Sequence, residues 1–163
     1  MLSRKNCNLI AAIGCFALVA YAYFYMEKTL YLIPCPLCYA QRLAFVVLGV
    51  LFVLAAFFPG AKKGKLIHTT LLLLAAIGGA ALSIRHLYLQ NLPKDQLASC
   101  GVDFYGMWDV MPFGQAVISM LSGASDCGSV QWQWLGLSIP GWTLLAFIGF
   151  ALWALWHNAF RGA

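Results

Sequence analysis

The sequence predicts an all-α membrane protein: a four-transmembrane-helix bundle with one long outward loop that carries a short surface helix. Three observations lead there. The chain has 163 residues, of which 63% are hydrophobic and only 9% charged, against about 25% charged in a soluble domain. Four windows are free of charge, each close to the ~20 apolar residues that cross a bilayer. Lysine and arginine fall mainly on one side of the resulting four-span topology, as membrane insertion requires. The whole of 1–163 reads as a single membrane domain, with no internal repeat and no low-complexity segment.

The first window runs from Asn6 to Met26, between Lys5 and Glu27. Its basic start, apolar run and Ala20-Tyr21-Ala22 imitate a secretory signal and its cleavage site. The apolar run continues through Tyr23, Phe24, Tyr25 and Met26, long enough to span, so the segment is read as a retained helix over about 8–26. The second window, Leu43 to Ala61, lies between Arg42 and Lys62 and gives a span over about 41–59. The third, Leu66 to Ile84, lies between Lys65 and Arg85 and gives a span over about 66–86. The fourth falls within roughly Ile139 to Trp156, a span over about 140–158.

Arg4, Lys5, Lys62, Lys63, Lys65 and Arg161 then share one side, and Lys28, Lys94 and all five acids share the other. This bias predicts that both termini and the short 59–65 loop are cytoplasmic. The net charge of +5 follows from that topology. It gives no reason to expect a nucleic-acid partner, because the basic residues are divided among three short segments beside the lipid bilayer.

Two loops face outward, about 27–39 and 88–139. The longer contains Phe113, Val117, Ile118, Met120 and Leu121 at helical spacing, which predicts a short helix lying on the membrane surface. Trp132, Trp134 and Trp142 precede the fourth span and read as an interfacial aromatic belt.

The cysteines carry the chemistry. Cys35-Pro36-Leu37-Cys38 lies in the first outward loop, and Cys100 and Cys127 lie in the second. All four thus face an oxidising compartment, where disulfides persist. Cys7 and Cys15 fall in or near the first span and read as small buried hydrophobes. A C-x-x-C disulfide closes a very small loop and constrains little of the unfolded chain, which argues against a purely structural first pair. Cys100 and Cys127, by themselves, could be a staple. Zinc is a poor match for the four sulfurs, since the second pair lacks ligand spacing, so no metal site is expected.

Pro36 suits the first position of a helix, where its missing N–H costs nothing. Cys35 then stands near the N-cap and Cys38 in the first turn, where the helix N-terminus favours an anion and so a Cys38 thiolate. Arg42 follows one turn deeper on the same face. It is either a snorkelling residue that marks the end of the span or a cation that stabilises the thiolate and donates to a carbonyl oxygen. The Cys38 spacing favours the second. Arg85 reads as an interface anchor. His86 is either a structural helix-end histidine or, if the helices pack together, a second group at the Arg42 site.

These residues bring a known family into view. The chain resembles the bacterial disulfide bond formation protein B (DsbB) family over essentially its whole length. The match is carried by Cys35-Pro36-Leu37-Cys38 with Gln41-Arg42, by Arg85-His86-Leu87-Tyr88-Leu89-Gln90, by Cys100 and Cys127, and by Gln131-Trp132, Trp134-Leu135-Gly136-Leu137 and Ile139-Pro140. The C-x-x-C alone is weak; the ordered set is specific. The resemblance implies a thiol:quinone oxidoreductase of the bacterial inner (cytoplasmic) membrane, which reoxidises a periplasmic DsbA-type dithiol oxidase and passes the electrons to ubiquinone or menaquinone. It implies that the reduced partner attacks Cys100 and frees Cys127, that Cys127 attacks Cys35, and that the released Cys38 thiolate engages quinone held by Arg42. His86, from its place at the end of the third span, is the further candidate for cofactor binding. Position 41 is Gln where some relatives carry an acid, which leaves open how the Arg42 charge is compensated. The competing expectations are an oxidase for a dedicated periplasmic partner, a membrane importer of thiol reductant, and a non-enzymatic adaptor stapled by disulfides.

Overall fold

The computed structural model describes residues 3–32, 34–58, 62–93 and 130–160, with isolated positions at 112, 114, 115, 118 and 128. Helix α1, Arg4–Tyr21, continues without a break into a π-helical segment, Ala22–Thr29. Helix α2 spans Pro36–Phe57 and α3 spans Lys62–Gln90. Strands β1, Gln133–Trp134, and β2, Leu137–Ser138, form a small antiparallel hairpin. Helix α4, Ile139–Ala154, ends in a second π-helical segment, Leu155–Phe160. Among the described residues, four helices are long and apolar enough to cross a membrane, Arg4–Thr29, Pro36–Phe57, Lys63–Gln90 and Ile139–Asn158, and the protein is a multi-pass membrane protein with the expected four-helix bundle. Most of the sequence-predicted surface helix, and both Cys100 and Cys127, lie outside the described residues.

Each start and turn has a local cause. Ser3 caps α1, its Oγ accepting from the Asn6 N–H at 3.3 Å, which satisfies one of the orphan donors of a first turn. Cys35 is the N-cap of α2 in extended conformation (φ −73°, ψ 164°), and Pro36 opens the helix. The β1–β2 turn holds Leu135 at φ 51° and Gly136 at φ 79°, the paired positive φ values of a type I′ hairpin turn. Gly136 adopts this readily, whereas Leu135 holds it against its own side chain.

The core is a tight aliphatic and aromatic contact between helices. Phe45 of α2 stacks on Phe147 of α4 with centroids 4.0 Å apart, and Leu48, Phe52, Leu72 and Phe147 are fully buried. Gly79 of α3 makes room for that stack: a Cβ there would come within 2.3 Å of the Phe147 ring. Outward positions such as Ile13, Leu66, Leu74 and Ile77 are exposed, as a helix surface facing lipid should be. Cys7 and Cys15 are buried among the helices, in the role expected of them.

At the end where α1 begins and α4 runs out, Asn8 and Asn158 exchange two side-chain hydrogen bonds, at 3.1 and 3.0 Å. The Arg4 Nε donates to the same Asn158 oxygen at 2.8 Å. The first and last helices are thus latched together at the end opposite Cys35 and Cys38.

Candidate functional site: a sulfur pair opening on an apolar cavity

The first turn of α2 builds the site. The N–H groups of Cys38 and Tyr39 both donate to the Cys35 carbonyl, at 3.0 and 3.3 Å. This winding brings the Cys35 and Cys38 sulfurs to 3.2 Å, beyond the roughly 2.05 Å of a disulfide bond, so the two are not bonded to each other here. Cys35 is buried against Leu37 and Leu89, and Cys38 is half-buried at the edge of that cluster.

His86, near the end of α3, reaches the pair from the other side. Its Nε2 lies 3.7 Å from the sulfur of Cys35, one helical turn before Cys38. Its Nδ1 lies 3.3 Å from the Gln41 side-chain nitrogen. Gln41 is only 2% exposed and begins a polar chain across three helices. Thr143 Oγ1 of α4 is 3.1 Å from the Gln41 oxygen and 3.0 Å from Ser83 Oγ of α3. Buried polar groups of this kind must be satisfied, and here each partner comes from a neighbouring helix.

Arg42 is held by the first helix. Its Nη1 donates to Glu27 Oε2 at 2.7 Å and its Nη2 to the Ala22 carbonyl at 3.3 Å; its guanidinium also lies over the Tyr39 ring at 5.3 Å. The π-helical segment explains how two groups five residues apart serve one guanidinium. Positions i and i+5 lie ~140° apart on an α-helix. They lie only ~50° apart where hydrogen bonds run from i to i+5, at roughly 4.4 residues per turn. Leu30 N–H donating to the Tyr25 carbonyl at 3.0 Å is one such bond.

Between α1, α2, α4 and the hairpin lies a cavity of about 550 Å³, within the range of small-molecule sites. Its walls are mostly apolar, with Leu18, Met26, Phe45 and Pro140 among them, and Cys35, Cys38, Gln41, Arg42 and His86 also line it. Trp132, Trp134 and Trp142 stand on the same wall. The rings of Trp134 and Trp142 are 5.2 Å apart, and the Trp142 Nε1 donates to the Trp134 carbonyl at 3.2 Å. Read from sequence as an interfacial belt, these tryptophans also form part of the cavity.

The structure therefore brings four of the six sequence-predicted site residues, Cys35, Cys38, Arg42 and His86, around one cavity; Cys100 and Cys127 lie outside the described residues. It adds Glu27, Gln41 and Thr143, which sequence reasoning did not single out as site residues. In a bundle able to cross a membrane, a sulfur pair that opens on an apolar cavity can pass electrons to a lipid-soluble acceptor. The class so defined is that of membrane thiol oxidoreductases.

Comparison with known proteins agrees. The family model for disulfide bond formation protein DsbB matches residues 4–157. The chain is 43% identical to disulfide bond formation protein B of Hahella chejuensis, over 94% of this chain and 93% of that one. It is 39% identical to the protein of that name from Saccharophagus degradans, over 96% and 93% of the two chains. The relative of that name from Stutzerimonas stutzeri is also 39% identical, over 95% and 94%. The chain belongs to the DsbB family. It is a disulfide-forming thiol:quinone oxidoreductase.

Proposed function

We propose that this chain reoxidises a periplasmic DsbA-type dithiol oxidase, and that Cys100 and Cys127 receive the electrons that Cys35 and Cys38 deliver to quinone. The reduced partner attacks the Cys100–Cys127 disulfide at Cys100 and leaves with its own disulfide restored. The Cys127 thiolate attacks the Cys35–Cys38 disulfide at Cys35 and releases Cys38 as a thiolate, which engages the quinone ring. Cys100 then attacks Cys127, which reforms the Cys100–Cys127 disulfide and frees Cys35, and Cys35 closes on Cys38 as the ring takes two electrons and two protons and leaves as quinol.

The observation that carries this reading is the cavity of about 550 Å³ with Cys38 and Arg42 on its wall. A thiolate and a fixed cation on one apolar wall suit a quinone, whose ring needs an electron donor and whose oxygen needs a hydrogen-bond donor. Arg42 holds the quinone oxygen and His86 lines the same site, against Cys35. Ubiquinone is the proposed acceptor, with menaquinone as the alternative that a comparison of soluble analogues separates. The lysine and arginine bias supports cytoplasmic termini and a periplasmic cysteine end, in the inner membrane. An importer of reductant would need a thiol pair at the other end. Cys7 and Cys15 are there or in the adjoining span, eight residues apart and buried.

The route is tested with the oxidised wild-type chain and a reduced DsbA-type partner that keeps only its attacking cysteine, so that the partner cannot close its own disulfide and leave. The mixed disulfide that accumulates should run through Cys100, read by non-reducing intact mass and peptide mapping. A mixed disulfide through Cys35 or Cys38 instead would contradict the route.

A further inference from the structure

We propose that the reduced Cys35–Cys38 pair, together with His86, is a binding site for a thiophilic divalent cation of the zinc type, and that metal captured there holds the enzyme in its reduced state. The two sulfurs and one imidazole nitrogen lie within 4.8 Å of one another. A tetrahedral zinc, with sulfur at about 2.3 Å and nitrogen at about 2.0–2.1 Å, sets its sulfurs about 3.8 Å apart and sulfur and nitrogen about 3.5 Å apart. The observed Cys35 sulfur to His86 Nε2 distance is 3.7 Å. The sulfurs at 3.2 Å need to spread by only about half an ångström, a small side-chain rotation of the half-buried Cys38.

The surroundings suit a cation as well as the donors do. Two thiolates cancel the charge of the metal, so a neutral centre results beside an apolar cavity. Arg42, the nearby cation, is already paired with Glu27 at 2.7 Å. Cys35, Cys38 and His86 all line the cavity, which leaves room for a fourth ligand such as water, as in sites with three protein ligands.

Gln41 is the positioning residue. To bind metal, His86 must offer a lone pair from Nε2 and carry its proton on Nδ1. The Gln41 amide stands 3.3 Å from Nδ1, and turning it by 180° places its oxygen there as acceptor. Thr143 Oγ1, at 3.1 Å from the other end of the amide, can donate or accept and so tolerates either orientation. Such outer partners fix the tautomer of a ligating histidine. Binding involves no electron transfer: two thiol protons are released and two sulfur–metal bonds form. Oxidation of the pair to a disulfide removes the donors, so metal and quinone compete for the same reduced sulfurs. That competition rests on the function proposed above; the metal site itself rests only on the three side chains.

The test uses the full chain with Cys100→Ser and Cys127→Ser, so that the first pair is the sole outward dithiol, reduced and free of quinone. Zn²⁺ is titrated against a chromophoric chelator, and Co²⁺ serves as a spectroscopic probe. The expected result is one Zn²⁺ per reduced chain and a tetrahedral, thiolate-containing Co²⁺ spectrum. Binding should be lost when the same protein is oxidised, a control with an unchanged chain. His86→Ala and Gln41→Leu should each weaken binding by at least tenfold, with Cys38→Ser abolishing it. Equal binding by reduced and oxidised protein, unchanged affinity in His86→Ala, or no binding at micromolar Zn²⁺ would overturn the proposal. Quinone reduction by the metal-free wild-type protein is measured separately, so a failure of the catalytic reading is not confused with a failure of the metal site.

Discussion

At the end of the bundle where α1 begins, Asn8 and Asn158 bond to each other, with Arg4 Nε on the same Asn158 oxygen, and the two amides close on themselves. At the opposite end, the polar chain of Ser83, Thr143, Gln41 and His86 does not close. It runs to the Cys35 sulfur and the wall of a cavity. Both ends bury hydrogen-bonding side chains in a molecule with little water to satisfy them. The closed set can act only as a latch between helices, while the open set delivers orientation to a reactive atom. The difference predicts that damage to the latch is felt in stability, and damage at the other end in turnover.

The comparison can be broken in three places, from the largest effect downward. Arg42→Met removes a charge-assisted hydrogen-bond donor from the cavity. It should cost about 1.5–3 kcal/mol of quinone binding, roughly a 10–150-fold rise in the apparent quinone KM, with mixed-disulfide formation at the partner-facing cysteines unchanged. An unaltered KM would mean that Arg42 does not face the acceptor. Asn8→Ala should lower stability by about 0.6–2 kcal/mol, the range for hydrogen bonds between membrane helices, and leave the quinone KM alone. Combining it with Asn158→Ala should cost less than the sum of the two, measured by denaturant unfolding in detergent. Glu27→Gln should act most weakly. The Glu27–Arg42 pair is 20% and 18% exposed, partly exposed pairs contribute about 0–1 kcal/mol, and Arg42 keeps its bond to Ala22. The apparent quinone KM should rise by no more than about fivefold, and a loss as large as that of Arg42→Met would show that Glu27 acts on quinone directly.

The bundle was legible because charges punctuate it. Lys5 and Glu27 bracket the first apolar window, and Arg42 and Lys62 bracket the second. Pro36 likewise marks the start of α2 and places Cys35 at its cap, through a backbone constraint that acts within one residue. The partners of these groups were not legible. Glu27 meets Arg42 across 15 positions, and it can do so because Ala22–Thr29 winds as a π-helix. That winding depends on backbone bonding rather than on any apolar period. Gln41 sits in a helix that is apolar almost all round, so no periodicity shows which face is buried. His86 could be named from its place at the end of a span, but its contact with Cys35, rather than with Arg42, depends on how α3 packs on α2.

The central claim is that electrons leave the protein through Cys38 into the cavity beside it. Its most direct test mixes purified protein with a reduced DsbA-type partner and a soluble ubiquinone analogue and follows quinone absorbance in wild type and Cys38→Ser. Quinone reduction by the wild type that disappears in Cys38→Ser is the predicted result. Sustained turnover in Cys38→Ser, or none in the wild type with either ubiquinone or menaquinone analogues, would contradict it.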